Sequence, residues 1–439
     1  MRILPAPSRT PQIFGVTAKR RRPPGFRAGF AVAIVAFSMV LSFNSLRSAE
    51  PETATKVTIS QIRSAREQGD YHAASEKLAQ LASESDQDLS LDFVLLARAA
   101  HGHLEDNEIN SLYEQALSEL SQTEPSAESL SQRTVLRMAI AEHFASIQFR
   151  PMILVDALGE IRQVLGNKTA ADPTQPTAMA QAQSLYDRSI QTAWAELGAN
   201  RPANAEKLYS EIAKLSSLGD TAWSKSVDVD QQIVTLGLGW SLAMQKPRQE
   251  QAAKVLSDFI KQFPEHDDAA NAARMRIHCL EQLGSTDELH AAIGTLLKRW
   301  PESEAAPDAA VSGLSIVQSM SEEPGTESRL RQSILNWINQ AQSAEDWPDS
   351  LVTQAIVVGG ASLTPSAFDR LVRRLSKQDS TGQRTAEVLH QCDAAGQSAV
   401  SEQVAAAIIS SEISECSQMA LESACRWAGR TDRWGLLGM

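Results

Sequence analysis

The chain has few cysteines and few aromatic residues, and these scarcities exclude several classes of protein. Four cysteines in 439 residues are too few for a disulfide framework. Aromatic residues make up 5% of the sequence, and alternating runs of valine, isoleucine and tyrosine are almost absent. Alanine, leucine, serine, glutamate and glutamine recur instead, a balance that favours helices over sheets. The composition therefore predicts an all-α protein.

Acidic residues are missing from residues 1–49, which contain eight Lys and Arg. Subtracting these eight from the total of 41 basic residues leaves 33 against 53 acidic residues, or −20 for residues 50–439. A body of this charge repels phosphate backbones, so we expect no nucleic acid as a partner. A basic partner or simple solubility explains the charge.

The amino-terminal region combines a basic flank with an apolar run. Lys19 to Arg22 and Arg27 precede an uncharged stretch at 28–46, long enough to span a bilayer as a helix. This pattern is typical of a signal peptide or a transmembrane signal anchor. Ser48-Ala49 resembles a cleavage site, but Arg47 sits where a small side chain is preferred, so cleavage stays open. The pattern predicts an extracytoplasmic, bacterial-type envelope protein, secreted or membrane-anchored, with the membrane as one partner.

The clearest internal repeat lies between Leu236 and Val317. Two amphipathic segments follow each other at an offset of 37 residues, and each ends in a proline, Pro264 or Pro301. The apolar positions of the first are Ala252, Val255, Leu256, Phe259, Ile260 and Phe263, and those of the second are Leu289, Ala292, Ile293, Leu296, Leu297 and Trp300.

The segments that follow these prolines repeat at the same offset. Their matched positions are Ala269, Ala273, Ile277 and Leu280 in the first, and Ala306, Ala310, Leu314 and Val317 in the second. Two helices per period predict a helix–turn–helix repeat, and the small residues allow neighbouring helices to approach closely.

Two further stretches carry a family resemblance. Gly69-Asp70-Tyr71, followed by Ala74, Leu78 and Leu81, resembles the turn and second helix of a tetratricopeptide repeat. A looser copy runs from Trp194 through Leu197-Gly198 to Ala205, Leu208, Tyr209, Ile212 and Leu215. The resemblance covers residues 59–86 and 192–318, and the Phe-Pro and Trp-Pro endings are similar to those of envelope-associated repeat proteins. It implies a tetratricopeptide-like solenoid that binds other proteins.

Breaks in the pattern divide the chain into four predicted regions. Residues 1–49 form the basic terminus and signal or anchor, and 50–166 form amino-terminal helical hairpins. Residues 177–320 hold the tetratricopeptide-like repeats, and 326–439 form a carboxy-terminal helical region. Proline-containing stretches at 166–176 and 321–325 separate the last three. Residues 351–363 are the one run with strand-like character, because valine and isoleucine cluster there.

The sequence contains no motif that predicts catalysis, a cofactor or a metal site. His101-x-His103 with Glu105 and Asp106 is the best metal-like cluster, but surface histidines at a helix end explain it more simply. Gly237-Leu-Gly239 lacks the strand and third glycine of a dinucleotide site, so we interpret it as close helix packing. We therefore predict a protein that is not an enzyme.

Aromatic residues of the repeat region are candidates for partner binding. Trp194, Tyr209, Trp223 and Trp240, with Trp300, are expected either to line a groove for a protein partner or to fill gaps between helices. The leading hypothesis is an exported or membrane-anchored scaffold that mediates protein–protein interaction in the cell envelope. The alternative is an envelope enzyme, or a lipid or polysaccharide binder, with an unrecognised site in the carboxy-terminal third.

Overall fold

The described part of the chain is helical throughout. It contains twenty α-helices and two short 3-10 helices, and no strand occurs among these residues, so the all-α prediction is confirmed. The computed structural model describes residues 57–85, 87–126, 129–147, 151–166, 181–219, 221–319, 326–411, 416–433 and 435–436. The predicted signal or anchor and the predicted linkers at 167–176 and 321–325 lie outside these residues. No helix within the described ranges is long and apolar enough to cross a membrane.

The chain divides into two compact units, Met1–Gln87 and Asp88–Met439. The described helices of the first unit are α1 (Ile59–Glu67) and α2 (Tyr71–Glu84). Gly69 joins them with a φ of 77°, a left-handed conformation that glycine adopts without steric cost. Asp70 then caps α2, because its Oδ1 accepts a hydrogen bond of 3.1 Å from the backbone N–H of Ala73. The predicted turn and second helix are confirmed.

The second unit contains the remaining eighteen described helices. In chain order these are α3 Ser90–Ala99, α4 Asp106–Gln122, α5 Leu130–Ile147, α6 Pro151–Gly166, α7 Ala182–Gly198, α8 Pro202–Ser216, α9 Ala222–Ser226, α10 Gln231–Ala243, α11 Gln249–Gln262, α12 Ala269–Leu283, α13 Thr286–Arg299, α14 Ala305–Ser319, α15 Thr326–Gln340, α16 Asp349–Gly359, α17 Pro365–Gln378, α18 Gln383–Ala394, α19 Ser398–Ile409 and α20 Gln418–Arg430.

Helices two apart in the second unit pack against each other as well as against their sequence neighbours. From α6 onward, each even-numbered helix contacts the next even-numbered one, through α8, α10, α12, α14, α16 and α18 to α20. We call these eight helices the even row. Odd-numbered helices such as α11 and α13 contact the even-row helices that precede and follow them in sequence. Contact of the even-row helices with their first and second neighbours is compatible with a helical-repeat solenoid.

The 37-residue recurrence is visible in the helix bounds. The helix α13 starts and ends 37 residues after α11, from 249 to 286 and from 262 to 299. Leu256 and Ile293, which correspond across this offset, are both 0% exposed. The predicted buried face is confirmed, since these side chains are removed from water by the neighbouring helices.

A tryptophan indole links each of two successive repeats to the one before it by a hydrogen bond. Pro264 and Pro301 end their helical segments and leave backbone carbonyls that no helix uses. Trp300 Nε1 donates to the carbonyl of Pro264 at 3.3 Å, and Trp337 Nε1 donates to that of Pro301 at 2.9 Å. Because Trp337 lies 37 residues after Trp300, the recurrence extends into α15 (300 + 37 = 337).

The two glycines in the middle of α10 permit close contact with adjacent helices. A Cβ atom at Gly237 would lie 2.2 Å from Cζ of Tyr209 on α8. One at Gly239 would lie 2.7 Å from Cδ2 of Leu256 on α11. The interpretation of Gly237-Leu-Gly239 as helix packing is therefore confirmed.

The strand-like character assigned to residues 351–363 is wrong. These residues form most of α16, followed by a 3-10 turn at Gly360–Ser362. Leu351, Val352 and all of residues 355–360 are buried, because α14, α17 and α18 pack around this helix. A helix covered on nearly every side needs no polar face, so its 3.6-residue period is hidden in the sequence.

All four cysteines are free thiols, and Cys416 and Cys425 form no disulfide. Cys279 and Cys392 are buried, whereas Cys416 and Cys425 are only partly buried. Burial raises the pKa of the Cys279 thiol to about 12 and that of Cys392 to about 11. Both buried thiols therefore stay protonated and behave as small apolar side chains.

Candidate functional site

Three of the four predicted partner-binding residues meet in one aromatic cluster. Trp194 packs edge-to-face on Tyr209, with ring centroids 6.2 Å apart, and on Trp240 at 5.4 Å. These contacts join α7, α8 and α10. Tyr209 and Trp223 are both 0% exposed. A fully buried side chain offers no surface to a partner, so Tyr209 and Trp223 fill space between helices, the alternative that the sequence left open.

The half-buried members of the set have different surroundings. Trp194 and Trp240 retain some exposed surface, and their role in partner binding stays a prediction. Trp300 is also half-buried, but its indole N–H is directed to the carbonyl of Pro264. His101 and His103 of the metal-like cluster lie exposed in the turn between α3 and α4.

A charged cleft of about 1090 Å³ lies where the end of α4 meets α5, α6 and α8. We call it the arginine cleft, because Arg133 and Arg137 of α5 and Arg162 of α6 line it. Arg133 is 3% exposed and Arg137 is 4% exposed. Arginine is rarely buried to this extent unless a carboxylate accompanies it, and α6 supplies one.

Arg133 has a full set of hydrogen-bond acceptors. Its Nη2 donates to Oε1 of Glu160 at 2.5 Å and also to the carbonyl of Leu120. Its Nη1 donates to Oγ1 of Thr123 at 2.6 Å, and its Nε donates to Oε2 of Glu160 at 3.3 Å. These bonds fix the end of α4 to α5 and α6. Arg133 therefore has a structural role.

Arg137, one turn further along α5, is satisfied only in part. Its Nη2 donates to Oε1 of Glu160 at 2.7 Å. Its Nε and Nη1 are buried without a hydrogen-bond partner, and the nearest acidic atom to Nη1 is Oδ2 of Asp156 at 3.5 Å. One carboxylate thus serves two buried guanidinium groups, and Nε and Nη1 of Arg137 are left without an acceptor.

Asp156 is a poor counter-ion for Arg137. Its side chain is 57% exposed, and the 3.5 Å separation is longer than a charge-assisted hydrogen bond. Partial burial raises the pKa of this carboxyl, Arg137 lowers it, and repulsion from Glu160 raises it again, so the pKa lies above the usual range. The ionised form of Asp156 is therefore only weakly stabilised where it stands.

The far wall of the cleft carries a second group of charges. Glu211 of α8 accepts a hydrogen bond of 2.8 Å from Nε of Arg162 and one of 2.7 Å from Nζ of Lys214. Burial tends to raise the pKa of Glu211, but the hydrogen bonds from Lys214 and Arg162 outweigh it, so the pKa lies below its usual range. Glu211 therefore stays ionised and holds both cations at the cleft.

Sequence reasoning missed this cleft, although one signal for it is present. Arg133 and Arg137 are four residues apart on α5, and Asp156 and Glu160 are four residues apart on α6. Each pair therefore lies on one helix face. On α6 the pair interrupts an otherwise apolar run, which places charge on a face that is being buried. The approach of the two pairs to Glu211 depends on how α6 packs against α8, and no local pattern shows that.

A second cleft of about 870 Å³ lies in the carboxy-terminal third, where α17 faces the segment before α16. Two of its arginines bind backbone carbonyls. Arg370 Nη2 donates to Ile338 at 2.8 Å, and Arg374 donates to Glu345 at 2.9 Å and to Trp347 at 3.1 Å. These cations satisfy the ends of neighbouring segments. The predicted alternative of an enzyme or ligand site in this third stays a prediction.

Comparison with known proteins adds no assignment to this geometry. No protein-family model matches the chain, and no curated protein is significantly similar to it.

Proposed function

We propose that the protein is a helical-repeat scaffold of tetratricopeptide-like architecture that binds another protein in the cell envelope. The observation that carries this proposal is the even row, whose members contact one another in sequence from α6 to α20. Arrays of this kind present side chains from successive helices on one extended surface, which suits an elongated partner.

Polar side chains link successive helices of the even row. Arg274 of α12 pairs with Asp308 of α14 at 2.9 Å, and Glu281 of α12 hydrogen-bonds to Ser312 of α14. Further along, Gln354 of α16 donates to Ser315 of α14 at 3.2 Å. We call these six residues, with His278 beside Glu281, the polar stripe. Its groups alternate in charge and hydrogen-bonding character, which supports recognition by complementary polar contacts.

The described surface supports the same kind of recognition. Leu283 and Met419 are its exposed large apolar side chains, at 42% and 37% exposure. Isolated apolar residues of this kind do not form a continuous apolar groove. We therefore expect a partner that meets the repeats through hydrogen bonds and ion pairs and whose affinity falls as salt is added.

The test is a charge exchange on the polar stripe. Replacing Arg274→Asp together with Asp308→Arg keeps the ion pair but inverts the charge pattern that a partner would meet. We expect cross-linking of the full-length chain in membranes to yield one stoichiometric protein partner, and the exchange to reduce its yield about tenfold. Lys298→Glu, at an exposed position of α13, is the matched control and leaves the yield unchanged.

Two outcomes of this test would contradict the proposed function. Absence of a stoichiometric partner, or equal loss in the exchange variant and in Lys298→Glu, contradicts a scaffold that binds through the even row. Melting curves of both variants show whether the fold is intact, since exposed substitutions change stability by less than about 0.5 kcal/mol.

Placement in the envelope is supported by the basic flank and the apolar run at 28–46. Charged residues in an apolar segment oppose its entry into a bilayer. We expect Ile34→Asp with Val35→Asp to shift the protein from the membrane or exported fraction to the cytoplasm. Ser8→Asp outside the run is the control, and an unchanged distribution of the double variant contradicts the proposed location.

A further inference from the structure

The lining of the arginine cleft includes four cations and four carboxylates, so its net charge is zero (4 − 4). The cations are Arg133, Arg137, Arg162 and Lys214, and the carboxylates are Glu124, Asp156, Glu160 and Glu211. Glu160 and Glu211 each have 11% of the side chain exposed, whereas Asp156 and Glu124 are exposed at the rim. When Asp156 turns into solvent, the remaining lining has an excess of one positive charge (4 − 3), although the chain as a whole has a net charge of −12.

Arg137 is a buried cation of the cleft whose hydrogen-bond donors are not all satisfied. The residue is 4% exposed, and its Nε and Nη1 have no hydrogen-bond acceptor. Burying a charged donor without an acceptor is costly, so such groups normally have a ligand, a water molecule or a partner side chain. Glu160 does not supply the missing bonds, because its one hydrogen bond from Arg137 comes from Nη2.

Asp156 lies on the solvent-exposed side of Arg137 and makes only a weak contact with it. It is 57% exposed and lies 3.5 Å from Nη1, which is an ion pair without a hydrogen bond. Rotation of an exposed aspartate into solvent breaks no buried contact. An incoming anion would therefore replace Asp156 at Arg137 and gain the donors that Asp156 leaves unused.

We propose that the arginine cleft is a binding site for a dianionic phosphate group, with Arg137 as its principal donor and Asp156 as the side chain that moves aside. With Asp156 turned away, the remaining lining has a charge of +1, which attracts an anion. Its several oxygens accept from the planar fork of a guanidinium, which is the geometry that favours arginine in phosphate sites. Lys214 and Arg162, both partly exposed on the opposite wall, complete the set of cations.

A monoanionic carboxylate fits this site less well. It would replace Asp156 with a group of the same charge and the same number of acceptor oxygens. The exchange would gain little free energy while losing the translational freedom of the ligand. Phosphate and sulfate offer more acceptor oxygens to the unsatisfied donors of Arg137 and carry a second negative charge, so the site should discriminate both from acetate.

The experiment is calorimetric titration of the full-length chain, in a detergent without phosphate groups, near neutral pH. Inorganic phosphate is the probe, with sulfate and acetate for comparison. We expect phosphate and sulfate to bind and acetate to bind about tenfold more weakly. Asp156→Ala should tighten phosphate binding about tenfold, because the competing carboxylate is gone, and Arg137→Gln should weaken it by tenfold or more.

Matched variants separate this site from general surface charge. Arg426→Gln removes an exposed arginine from the distant α20 and should leave phosphate affinity unchanged. Because Arg137→Gln changes a buried residue, its melting curve is recorded as well. Asp156→Ala changes an exposed residue and tests the proposal even if Arg137→Gln does not fold.

Two results would overturn the proposal. One is phosphate affinity that does not rise in Asp156→Ala. The other is a folded Arg137→Gln protein that loses no more affinity than Arg426→Gln. Titration with glycerol phosphate then identifies the source of the group: tighter binding than inorganic phosphate supports an esterified ligand, and weaker binding supports free phosphate.

Discussion

The segment from α10 to α14 and the segment from α4 to α8 use different interactions to hold their helices together. Between α10 and α14 the buried interfaces consist mainly of leucine, isoleucine, alanine and phenylalanine side chains that recur every 37 residues, and polar pairs such as Arg274 with Asp308 lie at exposed positions. Between α4 and α8 the apolar contacts are supplemented by buried charges, with Glu160 between two arginines and Glu211 between Arg162 and Lys214. The arginine cleft borders this second segment.

The difference shows how packing and specificity are divided along one chain. Apolar burial is non-directional, so the same few residue types can be reused at each turn of a repeat. A buried ion pair is directional and costs desolvation free energy, so it contributes to stability only with well-placed partners. The repeats with regular apolar faces therefore form the framework of the fold. The candidate ligand site lies in the segment from α4 to α8, where buried ion pairs supplement the apolar contacts.

Leu256→Asp should have the largest effect and tests the regular segment. The side chain is 0% exposed, and a carboxylate at that position would be buried without a partner. We expect unfolding in urea to show a loss of more than about 4 kcal/mol. Leu283→Asp, at a position that is 42% exposed on α12, is the control and should lose less than about 1 kcal/mol. Equal losses would mean that the repeat face is not buried.

Glu160→Gln tests the charged segment. The amide cannot neutralise Arg133 and Arg137, so two buried cations would face each other without a counter-ion. We expect a loss of about 3 kcal/mol in the same unfolding experiment. Glu288→Gln removes one partner of an exposed pair with Arg276 and should change stability by less than about 0.5 kcal/mol. A loss no larger than that of Glu288→Gln would show that the pairs in the cleft are as weak as surface pairs.

Gly237→Ala measures how closely α8 and α10 approach. The new methyl group would lie 2.2 Å from the Tyr209 ring, which is 0% exposed and has no space to retreat. We expect a loss of about 2 kcal/mol from overpacking. Gly159→Ala is the matched control, since a Cβ at that helical glycine meets nothing within 4 Å. It should raise stability by up to about 1 kcal/mol, and a loss of equal size in both variants would contradict a specific clash.

The pH dependence of stability should reveal Glu211. Because its folded-state pKa lies below its usual range, its contribution is complete above the unfolded-state pKa and is lost as pH falls through the folded-state pKa. Glu211→Gln should therefore cost about 1 kcal/mol at neutral pH, and the difference from the native chain should vanish in acid. Asp156→Asn should show the opposite sign, because the pKa of Asp156 is raised. Parallel stability curves for the native chain and Glu211→Gln would contradict this assignment.

The regular segment was predictable because its evidence is local. Spacings of three and four residues identify the buried side of α11 and α13, and Pro264 and Pro301 mark where each segment stops. The role of Gly237 was predictable for the same reason, since glycine within a helical pattern indicates close approach. Residues 351–363 misled the same reasoning, because residues 355–360 are all buried and offer no exposed polar position that would reveal the helical period.

The arginine cleft could not be predicted from local residue spacing. The arginines of α5 and the carboxylates of α6 each show a four-residue spacing, but an exposed helix face carries the same spacing. Burial distinguishes the two cases, and burial here depends on α3, α4 and α6 packing against α5. The burial of Tyr209 and Trp223 was equally hidden, because an aromatic residue suits a groove as well as a core.

The amino-acid sequence by itself determined the helical class, the repeat period and the buried face of each regular helix. These follow from backbone geometry and from which side chains avoid water, and both act over a few residues at a time. The tertiary structure alone decided which charges are buried, which carboxylate two arginines share and which donors are left unsatisfied. Electrostatic free energy depends on the distance between charges and on the surrounding dielectric, and both are set only when distant helices pack together.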